Sequence, residues 1–89
     1  MKPRDEDRRA VISRLRRVEG QIRGIQSMIE HGRDCDAVLT QYSATIGALR
    51  QAAYKYFAAT AAECVRNPEA ADEAGYTAER LEKLFTRIA

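Results

Sequence analysis

The chain is 89 residues long, 45% apolar and 31% charged, with a net charge of only +2. That balance describes one small folded domain, residues 1–89, and excludes both a disordered tail and a non-specific nucleic-acid coat. A domain this small buries too little surface to be stable with ease, so self-association is the expected remedy. The apolar runs are too short to span a bilayer and no signal-peptide core follows the basic start, so a cytoplasmic chain with no membrane partner is expected. Two cysteines in that setting point to redox or metal chemistry rather than a disulfide framework.

Charge is unevenly placed. Residues 1–25 hold eight Lys/Arg against four acids, whereas residues 63–89 hold four against six. Met1 to Arg4 reads as a disordered basic start, and Asp5, Glu6 and Asp7 supply the acidic first turn that a helix N-terminus favours. From there Ile12, Leu15, Val18, Ile22, Ile25 and Ile29 form the three-four stripe of helix one. Arg9, Arg16 and Arg23 recur at seven-residue spacing away from the stripe, with Arg17 between and Arg14 at the edge. Such a row is either a solvated face or a specific DNA face. Gly20 and Gly24 each cost about 1 kcal/mol relative to alanine in a helix, and a close helix-helix approach on their shared side would compensate. Gly32 supplies a left-handed C-cap and Asp34 an N-cap for the next helix. So short a connection makes the two helices an antiparallel hairpin.

Helix two runs from Asp34 to Arg66. Cys35, Leu39, Tyr42, Ile46, Leu49, Ala53, Tyr56 and Thr60 alternate spacings of four and three, the mark of one packed seam, and Cys64 follows one turn later. Both cysteines are therefore expected on the packing side. In a continuous helix their separation of 29 positions spans roughly 43 Å, so they cannot meet within one helix. Two copies packed antiparallel about a dyad, crossing near Ala48, Leu49 and Arg50, place Cys35 of one beside Cys64 of the other. Inert thiols packed as small hydrophobes fit the same spacing. The helix ends before Pro68; Asn67 can cap a short turn from Glu69 to Glu73, which Gly75 closes. Tyr76 and Leu81 flank Thr77 as a hydrophobic staple around an N-cap, and Leu81, Leu84, Phe85 and Ile88 form the apolar face of a third helix. The predicted fold is all-α, three helices per chain, with the long hairpins pairing into a four-helix-bundle dimer.

Little supports catalysis. His31, the only histidine, lies in the turn without a partner for general-base work. There is no phosphate-binding glycine loop, no Cys-x-x-Cys, no zinc-finger spacing and no helix-turn-helix pattern.

The run Arg14-Leu15-Arg16-Arg17-Val18-Glu19-Gly20-Gln21-Ile22-Arg23-Gly24-Ile25, followed by Cys35-Asp36-Ala37-Val38-Leu39-Thr40-Gln41 and Ala48-Leu49-Arg50, resembles the CsoR/RcnR family of bacterial transcriptional repressors over nearly the whole chain. The resemblance implies a dimer that assembles into a homotetramer, binds operator DNA without a helix-turn-helix and releases it when an inducer binds. It also implies DNA-contacting roles for Arg14 and Arg50, and turns Arg16, Arg17 and Arg23 from a solvated row into part of a DNA face. The family's copper sensors place a first cysteine at Cys35, a second at Cys64 and a histidine four residues before the second. Here that histidine is Thr60, Asp34 replaces the usual tyrosine, and Arg80 lies near the expected outer-sphere glutamate. Two cysteines without the histidine resemble the CstR branch, the persulfide sensors. Cys35 at a helix N-terminus would then be the attacking thiolate, opposed by Asp34 and Asp36, and Cys64 of the partner would close an intersubunit di- or polysulfide bridge, with no metal or cofactor. Two alternatives stand beside it. One is copper(I) on the Cys35 and Cys64 thiolates, with His31, Glu63 or a small molecule as third ligand. The other is a helical protein-interaction module with inert cysteines.

Overall fold

The computed structural model describes residues 1–89 as four helices and no strand: α1 (Asp5–Glu30), α2 (Cys35–Arg66), α3 (Pro68–Glu73) and α4 (Ala78–Thr86). The hairpin turn closes on Gly32, whose φ of 68° lets the Arg33 amide reach back to the Met28 carbonyl at 2.9 Å and satisfy an orphan acceptor of α1. Gly75, φ 80°, does the same at the end of α3, where the Tyr76 amide bonds the Ala71 carbonyl at 2.8 Å. The Thr77 hydroxyl accepts from the Arg80 amide at 3.1 Å and starts α4.

Several expectations need correction. The stretch after Asn67 is a helix in its own right, so the chain has four helices rather than three. Neither Asp34 nor Asn67 caps with its side chain, although both occupy N-cap positions. Met1 to Arg4 is not a loose start: Pro3 is buried, Met1 is half-buried, and Arg4 reaches Glu63 at 3.8 Å. Gly20 and Gly24 meet nothing, for a methyl group built on either finds no neighbouring atom within 4 Å. Within one chain, no close helix approach repays their cost.

The hairpin packs along a seam of seven-residue steps. Val11, Val18 and Ile25 of α1 are buried with Val38, Thr45, Ala52 and Ala59 of α2. Immediately beside it runs a second, outward seam that no part of the chain covers. Ile12, Leu15, Ile22 and Ile29 lie on α1, and Leu39, Tyr42, Ile46, Leu49 and Tyr56 on α2, each still exposed. Most of the residues of the predicted stripes therefore point outward, while the hairpin itself closes on smaller neighbours. Only toward the C-terminal end of α2 is the outward side covered. There Met1 and α4 line a pocket with Tyr56, Phe57 and Thr60, and the Phe85 ring packs 5.6 Å from Phe57 and 5.8 Å from Tyr54.

The molecule measures 54 × 25 × 13 Å, with a radius of gyration of 16.9 Å. A compact chain of this length would have a radius near about 12 Å. Its thinnest dimension is about one helix diameter, so the hairpin is a single layer, whereas a stable core needs two.

Candidate thiol site and DNA interface

α2 is one uninterrupted helix, which keeps its thiols roughly 43 Å apart, as the sequence predicts. Their surroundings differ. Cys35 occupies the first helical position and is exposed, continuing the outward seam; Cys64 is buried in the final turns. The expectation that both cysteines pack thus holds within the chain for Cys64 alone. No side chain caps the α2 N-terminus, so the positive end of the helix dipole at Cys35 is offset only by the charges of Asp34 and Asp36.

One turn before Cys64 lies Thr60, buried, with its hydroxyl donating to the Tyr56 carbonyl at 3.1 Å. A hydroxyl so engaged, and hard in character, is a poor substitute for an imidazole donor beside a thiolate. Glu63, another candidate third ligand, is also occupied. Glu63 accepts from Arg66 Nη2 at 2.7 Å and Nε at 3.1 Å on Oε2, and from Asn67 Nδ2 at 2.6 Å on Oε1. The Arg66 hydrogen bond, first among these contacts, holds its carboxyl below the ordinary value. His31 seals the end of α1, its Nδ1 lying 2.8 Å from the Ser27 carbonyl oxygen, which can only accept. Arg80 stacks 4.2 Å from the centre of the Tyr76 ring and donates to the Ala74 carbonyl at 3.1 Å, fixing the α3–α4 turn. No three metal-ligating side chains converge within the chain.

Arg14, Arg16, Arg17, Arg23 and Arg50 are all exposed, and none makes an ion pair. They do not share one face. Arg14 and Arg17 line a polar groove with Gln21 of α1 and Ala48 and Gln51 of α2, on the side of the hairpin away from the outward seam. Arg16 and Arg23 are turned about 160–180° from Arg14 around α1, so Arg14 does not edge their row. Arg50 lies about 160° around α2 from Ala48 and flanks the outward seam. A surface combining Arg14 with Arg50 needs a second chain.

Sequence reasoning missed Glu63 as a meeting point. Its spacing to Arg66 and Asn67, three and four residues, is a readable helix signal. Arg4, 59 positions earlier, gives none.

Comparison with known proteins places these features in a family of regulators rather than enzymes. A 52-residue segment is 52% identical to the copper-sensing transcriptional repressor RicR of Mycobacterium tuberculosis, covering 58% of this chain and 54% of that protein. Over 55 residues the chain is 42% identical to the copper-sensing transcriptional repressor CsoR of Bacillus subtilis, covering 62% and 54%. Both matches span about half the length of those relatives. No solved structure matches. The family model described as metal-sensitive transcriptional repressor matches residues 7–88, nearly the whole chain, and the protein belongs to that family.

Proposed function

We propose that residues 1–89 form one DNA-binding and sensing domain of a cytoplasmic transcriptional repressor, whose inducer acts at Cys35 of one protomer and Cys64 of its partner. The observation that carries this reading is the placing of two thiols toward opposite ends of one unbroken helix, joined by an uncovered apolar seam. Nine large side chains on that seam are about half exposed. Covering them is worth about 1 kcal/mol each, roughly 9 kcal/mol per chain and twice that per dimer, as an upper bound. Association costs about 4–15 kcal/mol, so a dimer is favoured. An antiparallel pair brings Cys35 to the partner's Cys64, and a dimer of dimers then presents several arginine faces to operator DNA. Membership in a family of repressors favours DNA over the protein-interaction module.

For the inducer, copper(I) has the support of both relatives, which are copper-sensing repressors. Two thiolates suit that soft ion and both are free, whereas Glu63 is already engaged. A second reading is favoured by Thr60, which leaves a three-donor site one ligand short. In it the Cys35 thiolate attacks the outer sulfur of an organic persulfide, whose S–S bond breaks to release the organic thiolate and leave a persulfide on Cys35. Attack of the partner's Cys64 thiolate on the inner sulfur then expels hydrosulfide and leaves an intersubunit disulfide.

Operator affinity and intact mass after copper(I) and, separately, after an organic persulfide decide between them. Loss of affinity with copper(I) and no crosslinked chain supports copper. A species of twice the 10.0 kDa chain mass, reversed by reductant and accompanied by DNA release, supports sulfur. Cys35→Ser should abolish either response, Cys64→Ser should prevent the crosslink, and Thr60→His should raise copper(I) affinity by adding the missing donor. Unchanged affinity after both treatments rules out a thiol sensor.

A further inference from the structure

Beside Cys64, the two oxygens of Glu63 collect three partners from two parts of the chain. Arg66 belongs to the last turn of α2, Asn67 leads into α3, and Arg4 stands at the N-cap of α1. Arg66 and Asn67 are local, and an exposed helix would form such contacts anywhere. The Arg4 contact is different, being the chain's single ion pair between residues distant in sequence. Three features show that the segment it holds is docked. Pro3 is buried, Met1 lines the pocket that contains Thr60, and the Glu63 side chain retains only 17% of its exposure. Four residues after Arg4 the groove-lining helix is under way, and Arg14 and Arg17 follow on the same rigid rod.

We propose that Glu63 is a positioning residue that ties the N-terminus of α1 to the turn of α2 carrying Cys64, so that a change at the thiol shifts the arginines of α1. The proposal rests on the thiol-sensor reading and adds the route by which the sensor reaches the DNA face. A carboxylate suits this role because it accepts from several cations at once, and neighbouring Cys64 cannot move along or around the helix without carrying it. When an inducer pulls Cys64 toward the partner's Cys35, Glu63 must keep all three partners by moving them or release Arg4. Either outcome alters how α1 is anchored. The proposal assigns Glu63 no contact with inducer or DNA.

Operator affinity of the full chain, with and without inducer, tests this in the parent, Glu63→Gln, Arg4→Ala and the double variant, using copper(I) and an organic persulfide as probes. Glutamine keeps the shape and one acceptor but loses the charge that holds Arg4. Glu63→Gln is expected to leave uninduced affinity within about twofold and to cut the inducer-dependent change in affinity at least about fivefold, about 1 kcal/mol of coupling. Arg4→Ala should reduce the coupling similarly, and the double variant should be no worse than either single one. A purely structural role would lower the melting temperature and uninduced affinity together while leaving the induced-to-uninduced ratio intact, and that result overturns the proposal. A parent that responds alongside a Glu63→Gln variant with the same ratio overturns it alone. A parent that responds to neither probe overturns the sensor reading and this one with it.

Discussion

The two apolar seams of the hairpin run side by side along the same helices, yet they are built from different residues. The inner one uses Val11, Val18, Ile25, Val38, Thr45, Ala52 and Ala59, and Ala52 is only 1% exposed. The outer one uses leucines, isoleucines and tyrosines, and Leu49 is still 48% exposed. Burial normally rewards the larger side chain, at about 25 cal/mol per Å² of apolar surface. A chain that buries its alanines and leaves its leucines in water has an apolar face that it does not itself cover. Mostly small residues on the inner side let α1 and α2 come close, and the larger ones stay on the uncovered face. The inner seam specifies the hairpin; the outer one is the face proposed to hold the assembly together.

Leu49 gives the hardest test of that division, because it lies where the two apolar clefts of the outward face meet. Leu49→Asp places a charge at the proposed dyad in both copies. Centrally buried anchors are worth about 2–4 kcal/mol each, so the dimer Kd should rise by about three orders of magnitude or more. Sedimentation should show monomer at micromolar concentration, with helicity falling, since a single-layer hairpin lacks a second layer to pack on. A variant that stays dimeric places the interface elsewhere.

The inner seam should fail differently. Ala52→Leu forces a large side chain into the tightest position of the hairpin and should cost about 1–3 kcal/mol of stability through overpacking. Its oligomeric state should not change until the chain unfolds. If Ala52→Leu instead dissociates the dimer while thermal stability holds, the two seams are not separate in function.

How far the sequence discloses this molecule depends on which contacts are periodic. The three-four spacing of Ile12 to Ile29 and of Leu39 to Tyr56 marks two helices and their apolar arcs, and Gly32 and Gly75 mark their turns. Periodicity alone does not say which edge of an arc meets the other helix of the same chain. The single seam of the sequence thus became two, with Val38 and Ala52 one position away from the predicted Leu39 and Ala53. The separation of the two thiols was legible because one unbroken helix fixes it. The docking of Met1 to Arg4 was not, for a short basic segment carries no repeat and its contact with Glu63 spans most of the chain.

The groove side offers a third perturbation, away from the outward seam. Arg14→Ala should weaken operator binding by about 1–3 kcal/mol or less, according to whether it reads a base or a phosphate, and reduce the salt slope by about one. Arg50→Ala, beside the outward seam, should do the same if two chains combine their arginines. Neither should change helicity. If Arg14→Ala binds as tightly as the parent, with the same salt slope, while Arg16→Ala and Arg23→Ala do not, DNA contacts the opposite side of α1.

The smallest effect belongs to the one stretch where the outward side is covered, at the Cys64 end. The Arg66 hydrogen bond, with help from Asn67 and Arg4, holds the Glu63 carboxyl below its ordinary value of 4.5. A carboxyl depressed in the folded state binds fewer protons there than in the unfolded chain over the interval between the two values. Its contribution to stability is therefore complete above the ordinary value and is lost as pH falls through the depressed one, while nothing changes near neutrality. A carbon-detected NMR titration should show Glu63 titrating below 4.5 in the parent. In Arg66→Ala its midpoint should rise toward the ordinary value, because the largest of its stabilising contacts is gone. Arg4→Ala should move it less, since that contact is longer, 3.8 Å against 2.7 Å, and more open to solvent. If Arg4→Ala moves the midpoint as far as Arg66→Ala does, the N-terminal segment grips Glu63 more firmly than its geometry indicates.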